Sequence, residues 1–69
     1  MYSIFWNEVN QQPTQDNYAG GNLTSSAAYL RVVGLSNQNP DRIYSVWDED
    51  IGRLRFVKKS GADQFTRVG

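Results

Sequence analysis

This chain of 69 residues contains no cysteine and no histidine. The first absence rules out disulfide staples, and the two together leave only oxygen ligands, which zinc rarely uses alone. No imidazole is available to activate a serine or threonine, and no Ser-x-x-Lys spacing occurs, so nucleophilic catalysis has no residues to run on. Apolar runs are only a few residues long, far short of the ~20 needed to span a bilayer. The opening stretch MYSIFWNEV has neither a basic leader nor a long apolar core, so it does not read as a signal peptide. The expectation is one soluble cytoplasmic domain covering residues 1–69, with no membrane contact and no cofactor.

What the chain does contain is aromatic mass and segregated charge. A domain this short buries only roughly 60% of the surface its unfolded chain exposes, so its core must come from few, large side chains. Nine aromatic residues can supply it: Tyr2, Phe5, Trp6, Tyr18, Tyr29, Tyr44, Trp47, Phe56 and Phe65. Self-association is the other route to stability, and the chain is expected to be a monomer or a homodimer. The formal charge is zero, yet residues 1–50 set two arginines against six acids, a net of −4, and residues 51–69 set five bases against Asp63, a net of +4. Such a chain can present one basic face while staying neutral overall.

Along the sequence, residues 2–9 read as a strand with apolar groups on both sides: Tyr2, Ile4 and Trp6 on one, Phe5 and Val9 on the other. Such a strand is either covered twice or exposes one side to a partner. Residues 10–22 read as a long polar connection whose one bulky group, Tyr18, either packs back on the core or projects as a contact residue. Thr24 is a suitable N-cap, and Leu23, Ala27, Leu30 and Gly34 form a helical stripe expected to face the core. Pro40 disfavours helix at Asn39 and ends it. Residues 42–48 and 52–59 are two further strands joined by the turn chemistry of Asp48-Glu49-Asp50-Ile51-Gly52. Simple alternation in the second of them puts Arg53, Arg55 and Val57 on one side. A turn at Ser60-Gly61-Ala62-Asp63 and a short edge strand blunted by Arg67 complete the chain. The expected class is α+β: a small curled antiparallel sheet in the order β-α-β-β-β with one helix packed on one face.

The carboxylates of Asp48, Glu49 and Asp50 do not make an acid–base pair, because three consecutive turn residues cannot oppose each other across a substrate. Their expected role is to solvate the turn, with ion pairs to Arg53 or Arg55. An EF-hand loop starting at Asp48 would need a glutamate at its twelfth position, where Lys59 stands. Phosphate-loop chemistry is missing its Gly-Lys-Ser/Thr.

What is left is contact. Trp, Tyr and Arg dominate interface energetics, so the expected site is the basic strip Arg53, Arg55, Lys58 and Lys59 with aromatic support from Trp6 or Trp47. The leading expectation is a non-catalytic module that binds a protein. The alternatives are a small nucleic-acid-binding protein and a structural subunit of a larger assembly. The aromatic first strand, the single helix ending before a proline, and the hairpin Tyr44-Ser45-Val46-Trp47-Asp48 followed by Gly52-Arg53-Leu54-Arg55-Phe56-Val57 resemble small bacteriophage-encoded accessory proteins. In size and element order the plan is similar to anti-CRISPR proteins. The resemblance implies an inhibitor of a host defence complex, its partner a host nuclease or effector, acting in the host cytoplasm.

Overall fold

The structure, a computed structural model, describes residues 1–59 and 65–68. The turn expected over Ser60–Asp63 lies outside the described residues. The elements are β1 (Tyr2–Asn7), β2 (Tyr18–Leu23), α1 (Ser25–Gln38), β3 (Ile43–Asp48), β4 (Arg53–Lys58) and β5 (Thr66–Arg67). They form one sheet in the order β2-β1-β3-β4-β5 with every neighbouring pair antiparallel. The α+β class and the single helix on one face are as the sequence leads one to expect. One strand is new.

That strand is β2, inside the segment the sequence presents as a polar connection. Tyr-Ala-Gly-Gly-Asn-Leu is poor strand material, since glycine and asparagine are depleted in strands. Gly20 at φ 150° and Asn22 at φ 55° break its regularity, and its register with β1 shifts twice. It pairs because β1 has a free edge there, not because its own residues favour the conformation. The irregularity protects the outer rim of the sheet from further pairing.

The helix begins where Thr24 caps it. The Thr24 Oγ1 accepts from the Ala27 N–H at 3.2 Å, satisfying one orphan donor of the first turn. At the other end the Leu35 carbonyl accepts from the Asn39 N–H at 2.8 Å and from the Tyr44 hydroxyl at 3.2 Å. The tyrosine thereby ties β3 to the last turn of α1.

Register fixes the two faces of the sheet. Tyr2, Ile4 and Trp6 stand beside Asp48, Val46 and Tyr44 on one face; Ser3, Phe5 and Asn7 stand beside Trp47, Ser45 and Ile43 on the other. The helix covers the first. Ile4, Ala28, Val32, Tyr44 and Val46 form the buried core, with Tyr2, Trp6, Leu23, Leu35, Phe56 and Phe65 packed around it. Tyr29 stands against Phe56 and Phe65 with ring centroids 4.9 and 4.4 Å away.

The helical stripe is a correction. The side that meets the sheet is Ala28, Val32 and Ser36, whereas Leu30 is 74% exposed and Gly34 also faces solvent. At 100° per residue, Leu30 lies opposite Val32. Both faces of α1 are rich in small and apolar residues, and spacing alone cannot choose between them. The short side chains of Ala28 and Ser36 let the helix approach the bulky rings of the sheet.

The acidic turn departs from expectation as well. Asp50 pairs with the amino group of Met1 at 2.6 Å, and the Asp48 Oδ1 accepts from the Asp50 N–H at 3.0 Å. Gly52 takes φ 63°, the left-handed conformation that closes the turn. The Asp50 hydrogen bond, with its charge and those of Asp48 and Glu49, raises the pKa of the Met1 amino group against a smaller opposing effect of burial. Because the folded value is raised, this contribution is present below the ordinary α-amino value of about 8 and lost as pH climbs through the folded value. Tyr29, raised chiefly by burial, acts in the same direction above about pH 10. The urea midpoint is therefore expected to fall between neutral pH and pH 9–10, and Asp50→Asn is expected to flatten that first decline. Equal slopes for wild type and variant would show that the pair contributes nothing.

Candidate functional site

No strand or helix among the described residues covers the second face of the sheet. Three rings cross it in sequence: Tyr18 from β2, Phe5 from β1 and Trp47 from β3. Phe5 meets Tyr18 edge-on at 5.6 Å and 62°, and Trp47 at 6.3 Å and 88°. These are favourable edge-to-face arrangements, with the positive rim of one ring toward the negative face of another. The outer two rings shelter Phe5, which is only 7% exposed, while Tyr18 remains 63% exposed. Of the two roles open to Tyr18, it therefore fills both: one side packs and the other faces out.

Gly21 makes this arrangement possible. A Cβ at that position would collide with the Tyr18 hydroxyl and come within 3.1 Å of the Ser3 Oγ. Only a hydrogen at Gly21 leaves the tyrosine room to lie across β2.

The long connection between β1 and β2 is anchored by Asn7, which is fully buried. Its Nδ2 donates to the carbonyls of Glu8 at 2.8 Å and Gln11 at 2.9 Å. The Gln11 N–H donates back to the Glu8 carbonyl at 3.0 Å, and the Trp6 N–H to the Asn17 carbonyl at 2.9 Å. Held in this way, the loop brings Val9 and Pro13 beside Ile43, Val57 and Lys59 around a pocket of about 430 Å³. The volume lies in the range of small-ligand pockets, and Lys59 is the one charged group lining it among the described residues.

Beside these groups lie polar atoms shielded from solvent without a protein partner: Asn7 Oδ1, Ser45 Oγ and Trp47 Nε1 on this face, and Arg55 Nε next to it in β4.

The basic strip does not form as one surface. Between β3 and β4 the register slips, so that Val46 faces Phe56 but Trp47 faces Leu54, leaving Arg55 as the extra residue of a β-bulge. Arg53 consequently sits opposite Asp48, on the side of Tyr44 and Val46, while Val57 sits opposite Ser45 on the other face. Simple alternation is broken at Arg55, and the three do not share a side. Arg55 is half-buried in the bulge; Lys58, opposite Tyr44, is half-buried on the helix side. Lys59 is exposed at the pocket. The two tryptophans are separated as well: Trp47 belongs to the helix-free face, whereas Trp6 packs toward the helix under the Arg42 guanidinium, 3.9 Å from its ring.

Of the expected set, the structure therefore places Trp47 on the helix-free face and Lys59 at the pocket beside Ile43, toward opposite ends of β3, and adds Tyr18, Phe5 and the Val9–Pro13 loop. The sequence signals for the addition are the second apolar side of β1 and Tyr18, the one bulky group of the polar connection. Among the described residues no three acidic side chains gather as a metal site, and no helix is long and apolar enough to cross a membrane. Comparison with known proteins finds no family model, no curated protein and no solved structure that matches this chain.

Proposed function

We propose that this chain is a protein-binding module and not an enzyme, and that it meets its partner with the helix-free face of its sheet. The observation that carries this reading is the ring series Tyr18–Phe5–Trp47 on a face no other element covers, with Tyr18 largely exposed. Tyrosine and tryptophan give large contact area for little lost rotamer freedom, which is why they concentrate at interface hot spots. The neighbouring pocket accepts an apolar side chain of the partner, and Lys59 favours an acidic group beside it. The finer form of the proposal is an inhibitor of a nucleic-acid-targeting host defence complex. It rests on the resemblance in size and hairpin to small bacteriophage proteins, and the additional strand β2 departs from the element order behind that resemblance.

The test is capture from the native host's lysate with wild type and with Tyr18→Ala as paired baits, read by mass spectrometry. A specific partner is expected to be retained by wild type and weakened at least about tenfold by the variant, which removes a hot-spot ring but no core residue. A partner held equally by both would sink the assignment of this face.

An exposed aromatic ring such as Tyr18 also suits single-stranded nucleic acid, where bases stack on such rings. That second reading requires oligonucleotide affinity that drops about tenfold or more between ~50 and ~200 mM salt. Fluorescence anisotropy with a labelled single strand separates the two.

A further inference from the structure

We infer that the pocket between the β1–β2 loop and the ends of β3 and β4 binds a small aliphatic monocarboxylate, its chain among Val9, Pro13, Ile43 and Val57 and its carboxylate on the Lys59 ammonium. Three parts of the chain build the site. Ile43 opens β3, and Val57 stands near the end of β4, opposite Ser45. Val57 is buried and Ile43 half-buried, which makes them the floor. Val9 and Pro13 are exposed and form the outer wall from the loop. The space among them is about 430 Å³.

That outer wall is already in place before a ligand enters. Asn7 is fully buried, and its Nδ2 fastens the carbonyls of Glu8 and Gln11. The Gln11 Oε1 accepts in turn from the Glu8 N–H at 3.1 Å. Pro13 fixes its own φ. A wall held in this way loses little conformational freedom on binding.

Charge and shape select the class of ligand. The four apolar lining residues are all aliphatic, so the pocket suits a flexible chain and offers no ring to a planar base. Lys59 is exposed, and among the described residues no carboxylate pairs with it. The acidic turn begins at the far end of β3, roughly 16 Å along the strand from Ile43. A lone ammonium is a compact point charge and matches a monoanion. A phosphate monoester is ordinarily gripped by an arginine fork, and no arginine lines this pocket. A bound chain fills the space proposed above for a partner's side chain, so ligand and partner compete there.

The test is a titration of the full, isotope-labelled chain with hexanoate, octanoate and 1-octanol, followed by amide chemical shifts. Octanoate is expected to bind with a Kd of about 1 mM or tighter. The shifts should centre on Val9, Ile43, Val57 and Lys59 and spare Leu30 on the outer side of α1. Each buried methylene is worth up to about fourfold in affinity, so octanoate should bind at least about fivefold tighter than hexanoate. It should also bind at least about threefold tighter than 1-octanol, which has the same chain without the charge. Lys59→Met, at an exposed position, is expected to fold as wild type, to bind 1-octanol unchanged and to lose the preference for octanoate. The inference is overturned if no saturable shift appears, if the shifts centre elsewhere, or if hexanoate binds as tightly as octanoate. It is equally overturned if 1-octanol binds as tightly as octanoate, or if Lys59→Met keeps the preference. The titrations contain no protein partner, so their failure is distinct from a failure of capture through Tyr18.

Discussion

Asn7→Asp is expected to give a protein that is folded in acid and unfolded near neutrality, the reverse of ordinary acid denaturation. The substitution preserves shape while replacing the Nδ2 donor by oxygen. At this fully buried position the new carboxylate would face the Glu8 and Gln11 carbonyls, which now receive hydrogen bonds of 2.8 and 2.9 Å. Burial and the two oxygens both disfavour the charged form, so the folded pKa of the new group rises above its unfolded value of about 4. A raised folded pKa gives stability that is present below the unfolded value and lost as pH climbs through the folded one. An uncompensated buried charge costs several kcal/mol, about the margin of a domain this small. Near pH 4 the carboxyl can be neutral and donate to one carbonyl, which retains part of the anchor. Tryptophan fluorescence in urea from pH 4 to 7 measures this. A variant equally stable at both ends would mean that Asn7 is not sealed from water. Asn7→Ala, without a charge, should lose about 1–3 kcal/mol with little pH dependence.

The second large effect lies in the core. Ile4→Ala is expected to lose about 2–5 kcal/mol, because the residue is fully buried between Val46 and the helix and the space it leaves cannot collapse completely. A single core in a chain of this length seldom supplies more than about 3–5 kcal/mol in total. Much of the variant should therefore be unfolded at 37 °C, visible as a lost cooperative transition in circular dichroism. Leu30→Ala is the informative control: the same kind of side chain, 74% exposed, should change stability by no more than about 0.5 kcal/mol. Equal losses at the two sites would contradict the orientation of the helix.

The contrast between Ile4 and Leu30 shows how far sequence carries. Local chemistry was legible. Thr24 caps the helix and Pro40 follows its end, because capping and proline geometry depend on neighbours in the chain. The alternation of Tyr2, Ile4 and Trp6 against Phe5 predicts a strand with two apolar sides, and β1 is that strand. The absence of cysteine and histidine limits the chemistry before any coordinate is considered.

Three decisions belonged to tertiary structure alone. β2 pairs against its own propensity because the free edge of β1 offers backbone partners, and no pattern in Tyr-Ala-Gly-Gly-Asn-Leu announces that edge. Which face of α1 turns inward depends on fit: Ala28 and Val32 pack on Tyr44, Val46 and Ile4, with small Ser36 buried on the same side of the helix, and that complementarity exists only once the sheet is assembled. The bulge at Arg55 redirects every side chain that follows it, since a strand repeats every two residues and one inserted residue exchanges the faces. The sequence by itself determined that this small chain is rich in aromatic residues, holds neither cysteine nor histidine and alternates as strands around one capped helix. The assembled sheet decided where they meet, placing Tyr18, Phe5 and Trp47 on its open face and dividing the basic residues between its two sides.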